Sequence, residues 1–314
     1  RSKGRRRSDY DVGTESPSEK PRVSFQDALA FATQAAEAIV KGFGIESLPV
    51  DPKEFARQRS IDVVAKPMDV EGVSGMLVKY GDEFAIAYAT HLQNEGFENF
   101  SVGHELGHFY LPGHVDALMP SGSGVHNSRS GFSSRDRYEM EADRFSAGFL
   151  MPKHLFMPAL AKAGVGFSAI EALASLCKTS LHATAIRYTQ CCRDPVAIVV
   201  SQGGTIDYCF MSRALRELDG IDWIRKRERL PRTTATYEFN RDAANVRNGV
   251  RIQDSSDLQT WFGGSHAYEL SEDVVGLGRY GRTLTVLYDF EIPEPEDEEE
   301  ERRLEESWTP RFRR

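Results

Sequence analysis

The sequence predicts an α+β fold, and three observations carry that prediction. A largely apolar segment, with Phe100, Val102, Phe109, Tyr110 and Leu111, encloses His104-Glu105-Leu106-Gly107-His108 and reads as a buried helix. Two short strand-like runs, Gly75–Tyr80 and Glu83–Ala89, flank Gly81-Asp82 and read as a hairpin. Beyond residue 195, strand-like runs with helices between them suggest an α+β C-terminal domain.

Taken in order, Ser24–Lys41 reads as a helix with Ser24 as N-cap and Asp27 three residues on, closed by Gly42-Phe43-Gly44. Asp51–Arg59 is a short second helix opened by Pro52. Ile61–Ala65 is a strand, and the hairpin follows it. In zinc peptidases an edge strand beside the active-site helix takes extended substrate, so this hairpin is expected to fill that role. The Ser- and Gly-rich stretch Met119–Ser134 reads as a loop placed to act as a lid. Tyr138, Ala142, Phe145 and Phe149 recur at helical spacing and mark a second helix beside the first. Phe167–Tyr188 holds two helical patterns broken near Lys178-Thr179-Ser180 and has a helix-turn-helix-like shape. Val196–Val200, Thr205–Met211, Thr236–Phe239 and Thr283–Tyr288 read as strands, with a turn at Ser201-Gln202-Gly203-Gly204.

The chemistry concentrates in HExxH. On a helix, positions i and i+4 share one face, so His104 and His108 can present two imidazole nitrogens to one metal ion. Glu105 then reaches a water in the open coordination position as general base. A catalytic zinc needs a third protein ligand, and Glu139 is preferred, with Asp143 one turn later orienting a ligand histidine. Glu141 and His114 are the alternative ligands. His114 has the metzincin spacing, but that motif needs glycine where Leu111 stands, and the glycine is displaced to Gly113. His126 is a weaker candidate in the Ser/Gly-rich stretch. A donor for the polarised carbonyl could come from Tyr138, His126 or His154.

Several segments in order resemble the ImmA/IrrE family of metallopeptidases. Ile45–Pro52 is similar to that family's N-terminal segment, and Gly72–Leu77 to the strand ahead of its active site. Phe100–Gly103 leads into HELGH, and Glu139-x-Glu141-Ala142-Asp143-x-Phe145-x-Ala147 and Leu150-Met151-Pro152 follow. Leu173-Ala174, Thr179-Ser180, Arg187 and Trp308–Phe312 extend the likeness over most of the chain. The resemblance implies a zincin-like metallopeptidase domain, gluzincin in ligand type, with one Zn2+ per chain. It also implies a helix-turn-helix-like segment, a C-terminal mixed α/β region that is GAF-like, and as substrate a separate XRE-type transcriptional repressor of stress-response or mobile-element genes. No XRE domain precedes the peptidase segment here.

The expected organisation is a polar segment 1–23, a peptidase domain 24–155, a helical segment 156–194, a C-terminal α+β domain 195–292 and an acidic tail 293–314. The chain has 314 residues, 40% hydrophobic residues and a net charge of −8, part of it in Pro293–Glu301. No apolar run approaches the length needed to span a membrane, and Arg1–Arg22 lacks the apolar core of a signal peptide. Cys177, Cys191, Cys192 and Cys209 form no CxxC pair, the usage of a reduced cytoplasmic protein. The rival reading is a DNA-binding or sensory regulator, or a non-cleaving repressor-binding protein, with a structural or inactive metal site. It would place Arg187 and Lys178 on phosphates, but the helical segment is not strongly basic, so direct DNA binding is not favoured.

Overall fold

The computed structural model describes residues 24–67, 72–129 and 136–292. The acidic run and the Trp308–Phe312 segment lie outside the described residues. The first half contains α1 (Phe25–Gly42), α2 (Pro52–Arg57), β1 (Ile61–Lys66), β2 (Val73–Tyr80), β3 (Glu83–Ala89), α3 (Glu95–Tyr110), α4 (His114–Leu118), β4 (Gly124–Arg129) and α5 (Arg137–Leu150). Helices α6 (Lys153–Ala163), α7 (Gly166–Cys177) and α8 (Leu181–Cys191) follow. The last part holds β5 (Ala197–Gln202), β6 (Thr205–Met211), α9 (Arg213–Arg216), α10 (Ala235–Asn240), α11 (Ala243–Arg247), β7 (Arg251–Asp257), α12 (Leu258–Phe262), β8 (Glu269–Gly276) and β9 (Thr283–Tyr288).

The helix starts follow their caps. Ser24 accepts from the Asp27 amide, Asp51 from the Lys53 and Glu54 amides, and Asn94 from the Phe97 amide. The first sheet runs β1-β3-β2-β4. β1 pairs parallel with β3, and the other pairs are antiparallel. This order corrects two expectations. The β2–β3 hairpin forms as expected but occupies the interior of the sheet. The stretch expected to be a lid supplies β4, which covers the free side of β2 and becomes the edge itself. Its burial alternates, with His126 and Ser128 inward and Val125 and Asn127 outward, a half-buried strand hidden among Ser and Gly.

The second sheet runs β6-β5-β9-β8-β7, antiparallel throughout. Both faces of β5 are covered. Ile198 and Val200 join the core that holds α1, α3, α5, α7 and α8, while Ala197 and Val199 join a second cluster with Leu230, Trp261 and Phe262. The first core runs without a break across residues 155–156 and 194–195, where the sequence suggested domain boundaries.

Helices α7 and α8, joined by a short turn, stand where the helix-turn-helix-like segment was expected, and α8 is largely buried. Arg187 lies inside, bonded to the Met151 carbonyl and paired with Glu37. Lys178 pairs with Glu95. Arg187 is therefore not free for a phosphate backbone, which corrects the DNA-contact reading of that residue, while Lys178 remains exposed. Thr236–Phe239, expected as a strand, is helical within α10. Thr234 caps it by accepting from the Tyr237 amide, and the buried Glu272 carboxylate of β8 accepts from the Thr236 amide at 2.7 Å. Capping thus overrides the β-propensity of Thr, Tyr and Phe. β7 and β8 were not read as strands, because β7 is polar and β8 places two acids, Glu272 and Asp273, at buried positions.

Candidate metal centre

The candidate site lies on α3, a helix buried along most of its length between the first sheet and α5. Glycines permit that fit. A Cβ on Gly107 would sit 3.0 Å from the Ala142 Cα, and one on Gly103 would sit 2.6 Å from the Ser146 hydroxyl. The Gly of HELGH therefore lets α5 approach closely enough to bring its acids to the histidines.

His104 and His108 project together, with their Nε2 atoms 3.0 Å apart. The Glu139 carboxylate completes a triangle, with Oε2 3.4 Å from His104 Nε2 and Oε1 3.4 Å from His108 Nε2. These three residues form the group that could hold a metal ion. The spacing fits one: bonds of about 2.1 Å in a tetrahedral shell put neighbouring ligand atoms about 3.4 Å apart. The tautomers fit too. His104 Nδ1–H donates to Asp143 Oδ1 at 2.9 Å, leaving its Nε2 lone pair free. His114 Nε2–H donates to Glu141 Oε2 at 3.1 Å, so its Nδ1 accepts from His108 Nδ1 at 3.1 Å. The second Nε2 lone pair is thereby turned to the same point. Two such lone pairs 3.0 Å apart repel unless positive charge lies between them.

The electrostatics carry the same demand. Burial disfavours charge on His104, yet Asp143 and Glu139 outweigh it and raise the imidazole to about 10. Burial also opposes ionisation of Glu139, but hydrogen bonds from His104, His108 and His126 hold it well below the usual carboxylate range. His108 is pushed down to about 3, chiefly by burial.

Glu105 lies against Gly75 of β2, next to the triangle, and is fully buried. Neither carboxylate oxygen has a hydrogen-bond partner among the described residues. Burial lifts it to about 7, with His104 and the Ser128 hydroxyl pulling the other way. Its room comes from Gly75 on β2, where a Cβ would lie 2.5 Å from Glu105 Oε1. A Gly75→Ala variant is therefore expected to displace this carboxylate and lower peptide hydrolysis at least about tenfold, with metal content unchanged. Equal hydrolysis by both proteins would show that the carboxylate position is not critical.

The remaining expected residues separate clearly. Glu141 and His114 stand behind His108 rather than beside Glu139, and Arg137 Nε holds the far oxygen of Glu141 at 2.5 Å. Gly113, at φ +80°, turns α4 back so that His114 meets the rear of His108. Tyr138 packs edge-on against His114, away from the triangle. His154 is exposed on α6, and no contact among the described residues ties it to the cluster. His126, by contrast, comes in from β4, with its Nε2 2.9 Å from Glu139 Oε1 and its ring against His108. Gly75, Ser128 and Arg137 went unassigned in the sequence. Gly75 lay within the segment that resembled the family, but no spacing rule links it to Glu105.

Residues 56–189 match the family described as Peptidase_M78, IrrE N-terminal-like domain. The chain carries an IrrE N-terminal-like peptidase domain. The match agrees with the ImmA/IrrE resemblance and spans β1 to α8, including every residue of the triangle. The matched family is one of peptidases. No curated protein matches the chain. Among solved structures, a Mycobacterium tuberculosis transcriptional regulator superposes with a TM-score of 0.52 at 15% identity, covering 84% of this chain and 81% of that one. The shared fold thus extends beyond the IrrE-like domain into the second sheet. Among the described residues no helix is long and apolar enough to cross a membrane.

Proposed function

We propose that the chain is a zinc-dependent endopeptidase acting on a protein substrate. The observation that carries this reading is the convergence of His104, His108 and Glu139 beside a buried, unpartnered Glu105 carboxyl. A zinc ion held by those three ligands would supply a Lewis acid for the scissile carbonyl and acidify water. Glu105 takes a proton from the attacking water on its carboxylate and passes it to the leaving amine. Burial raises its pKa above the usual carboxylate range, which favours its passing the proton on. Asp143 fixes His104, and the His114–Glu141–Arg137 chain fixes His108. His126 orients Glu139 and is the best placed of the three expected donors to meet a carbonyl oxygen.

Substrate backbone would pair with the outer edge of β4, the strand that carries His126. The ImmA/IrrE resemblance points to an XRE-type repressor as substrate, hence to derepression of stress-response or mobile-element genes in the cytoplasm. The second sheet with its helices is assigned to the C-terminal sensory region that the resemblance implies, GAF-like in kind and packed onto the peptidase part through a common core. The helical segment is assigned to packing, since Arg187 is buried.

Elemental analysis of the purified chain tests the ligand set. About one zinc per chain is expected, lost in Glu139→Ala and kept in Glu141→Ala. Loss only in Glu141→Ala would move the third ligand. No zinc in the intact chain after loading would remove the proposal.

A further inference from the structure

A cavity of about 310 Å³ opens on the second sheet, lined by none of the residues around His104. Its walls are cationic. Arg229, Arg232 and Arg241 line it, with Asn240, Tyr237 and the Gly203-Gly204 turn, and no carboxylate is among the lining groups. Arg241 pairs with Glu238, but Arg229 and Arg232 have no ion-pair partner among the described residues. In a chain of net charge −8, two exposed guanidinium groups without a carboxylate partner set a locally positive wall that favours an anion.

The wall is also built rather than loose. Leu230 N–H donates to the Gly204 carbonyl at 3.0 Å, Ile206 N–H to the Glu228 carbonyl and Arg227 N–H to the Ile206 carbonyl, both at 2.8 Å. Residues 228–230 therefore run beside β6, with Arg229 bridged antiparallel to Thr205 next to the glycine turn. Leu230 anchors the segment in the second hydrophobic cluster. Asn240 is fixed in turn, donating to the Ser201 hydroxyl at 3.0 Å and the Gly203 carbonyl at 2.8 Å and accepting from Thr283. A Cβ at Gly203 or Gly204 would meet nothing within 4 Å, so the space above the turn is open.

We propose that this cavity binds a small phosphorylated molecule, of the size of a nucleoside monophosphate, through Arg229 and Arg232. Guanidinium groups present paired N–H donors that match phosphate oxygens, and their charge is permanent. The volume is that of a small-ligand pocket rather than of a groove for a polymer. Tyr237 offers an apolar ring edge for the organic part. This site stands whether or not the His104 cluster is catalytic.

Isothermal titration calorimetry tests it, with adenosine 5′-monophosphate, inorganic phosphate and uncharged adenosine as probes on the full chain at about 0.15 M salt. The monophosphate is expected to bind and adenosine not to. Affinity should fall at least tenfold in R229A/R232A, which alters only exposed side chains. It should also fall in Gly204→Leu, which fills the cavity mouth with both arginines intact. Affinity should hold in R225A/K226A, which removes two exposed charges that do not line the cavity. No heat from either phosphate probe at about 5 mM would overturn the proposal. So would unchanged binding in R229A/R232A, or an equal loss in R225A/K226A. Binding of duplex DNA without binding of the monophosphate would also overturn it and make the basic segment a polyanion surface.

Discussion

A Glu105→Gln variant is expected to retain its metal and its Tm while cleavage of a protein substrate falls by about 10³-fold. The carboxylate makes no hydrogen bond among the described residues, and it lies outside the His104–His108–Glu139 triangle. The amide has the same shape, so the pocket against Gly75 is filled as before. What disappears is the ability to accept a proton. Buried carboxyls without partners cost stability, and a protein keeps one where its chemistry is used. The measurement is the appearance of fragments by mass spectrometry when the chain is incubated with an XRE-type repressor. Undiminished cleavage in the variant would remove Glu105 as the base. Repressor inactivation without fragments in either protein would favour binding over hydrolysis. Loss of metal in the variant would show that Glu105 belongs to the ligand set.

Much of this site was legible because helices encode geometry locally. The i, i+4 spacing of His104 and His108 and the Glu139/Asp143 pair on α5 need only a helical period and a rule about ligand support. The structure brings all four together. What the sequence did not show depends on partners distant in the chain. Gly75 matters through a carboxyl thirty residues on. β4 was hidden because its apolar positions are filled by a functional histidine and by Ser128, so the alternation carries no hydrophobic signal. The same cause concealed β8, where Glu272 and Asp273 occupy inward positions. Asp273 accepts from the Phe167 amide at the start of α7, and Glu272 accepts from Thr236. Buried acids there tie helix starts to the sheet, and hydropathy cannot tell that use from a solvated face. The hairpin was read correctly as local structure but misplaced in the sheet, because strand order is set by which segments compete for an edge.

Arg187→Ala is expected to destabilise the chain by about 3 kcal/mol, a Tm loss on the order of 5 °C or more. The guanidinium lies between α8, the end of α5 and α1, where it donates to the Met151 carbonyl at 3.0 Å and pairs with Glu37. Truncation leaves Glu37 without its cation, the Met151 carbonyl without its Nε donor and a void where the side chain packed. Lys178→Ala supplies the contrast. Its pair with Glu95 is exposed on both sides, and such pairs contribute little, so Tm should move by no more than about 1 °C. If α7 and α8 served to grip DNA, the ranking would invert. Each variant would then weaken duplex binding and lower its salt dependence, with stability nearly untouched. Thermal melts of both variants beside a fluorescence titration with duplex DNA separate the two. A large melt shift for Arg187→Ala alone, with no DNA affinity in any protein, is the outcome the buried pair requires. An unshifted melt would mean that the Glu37–Arg187 contact does not hold these helices together.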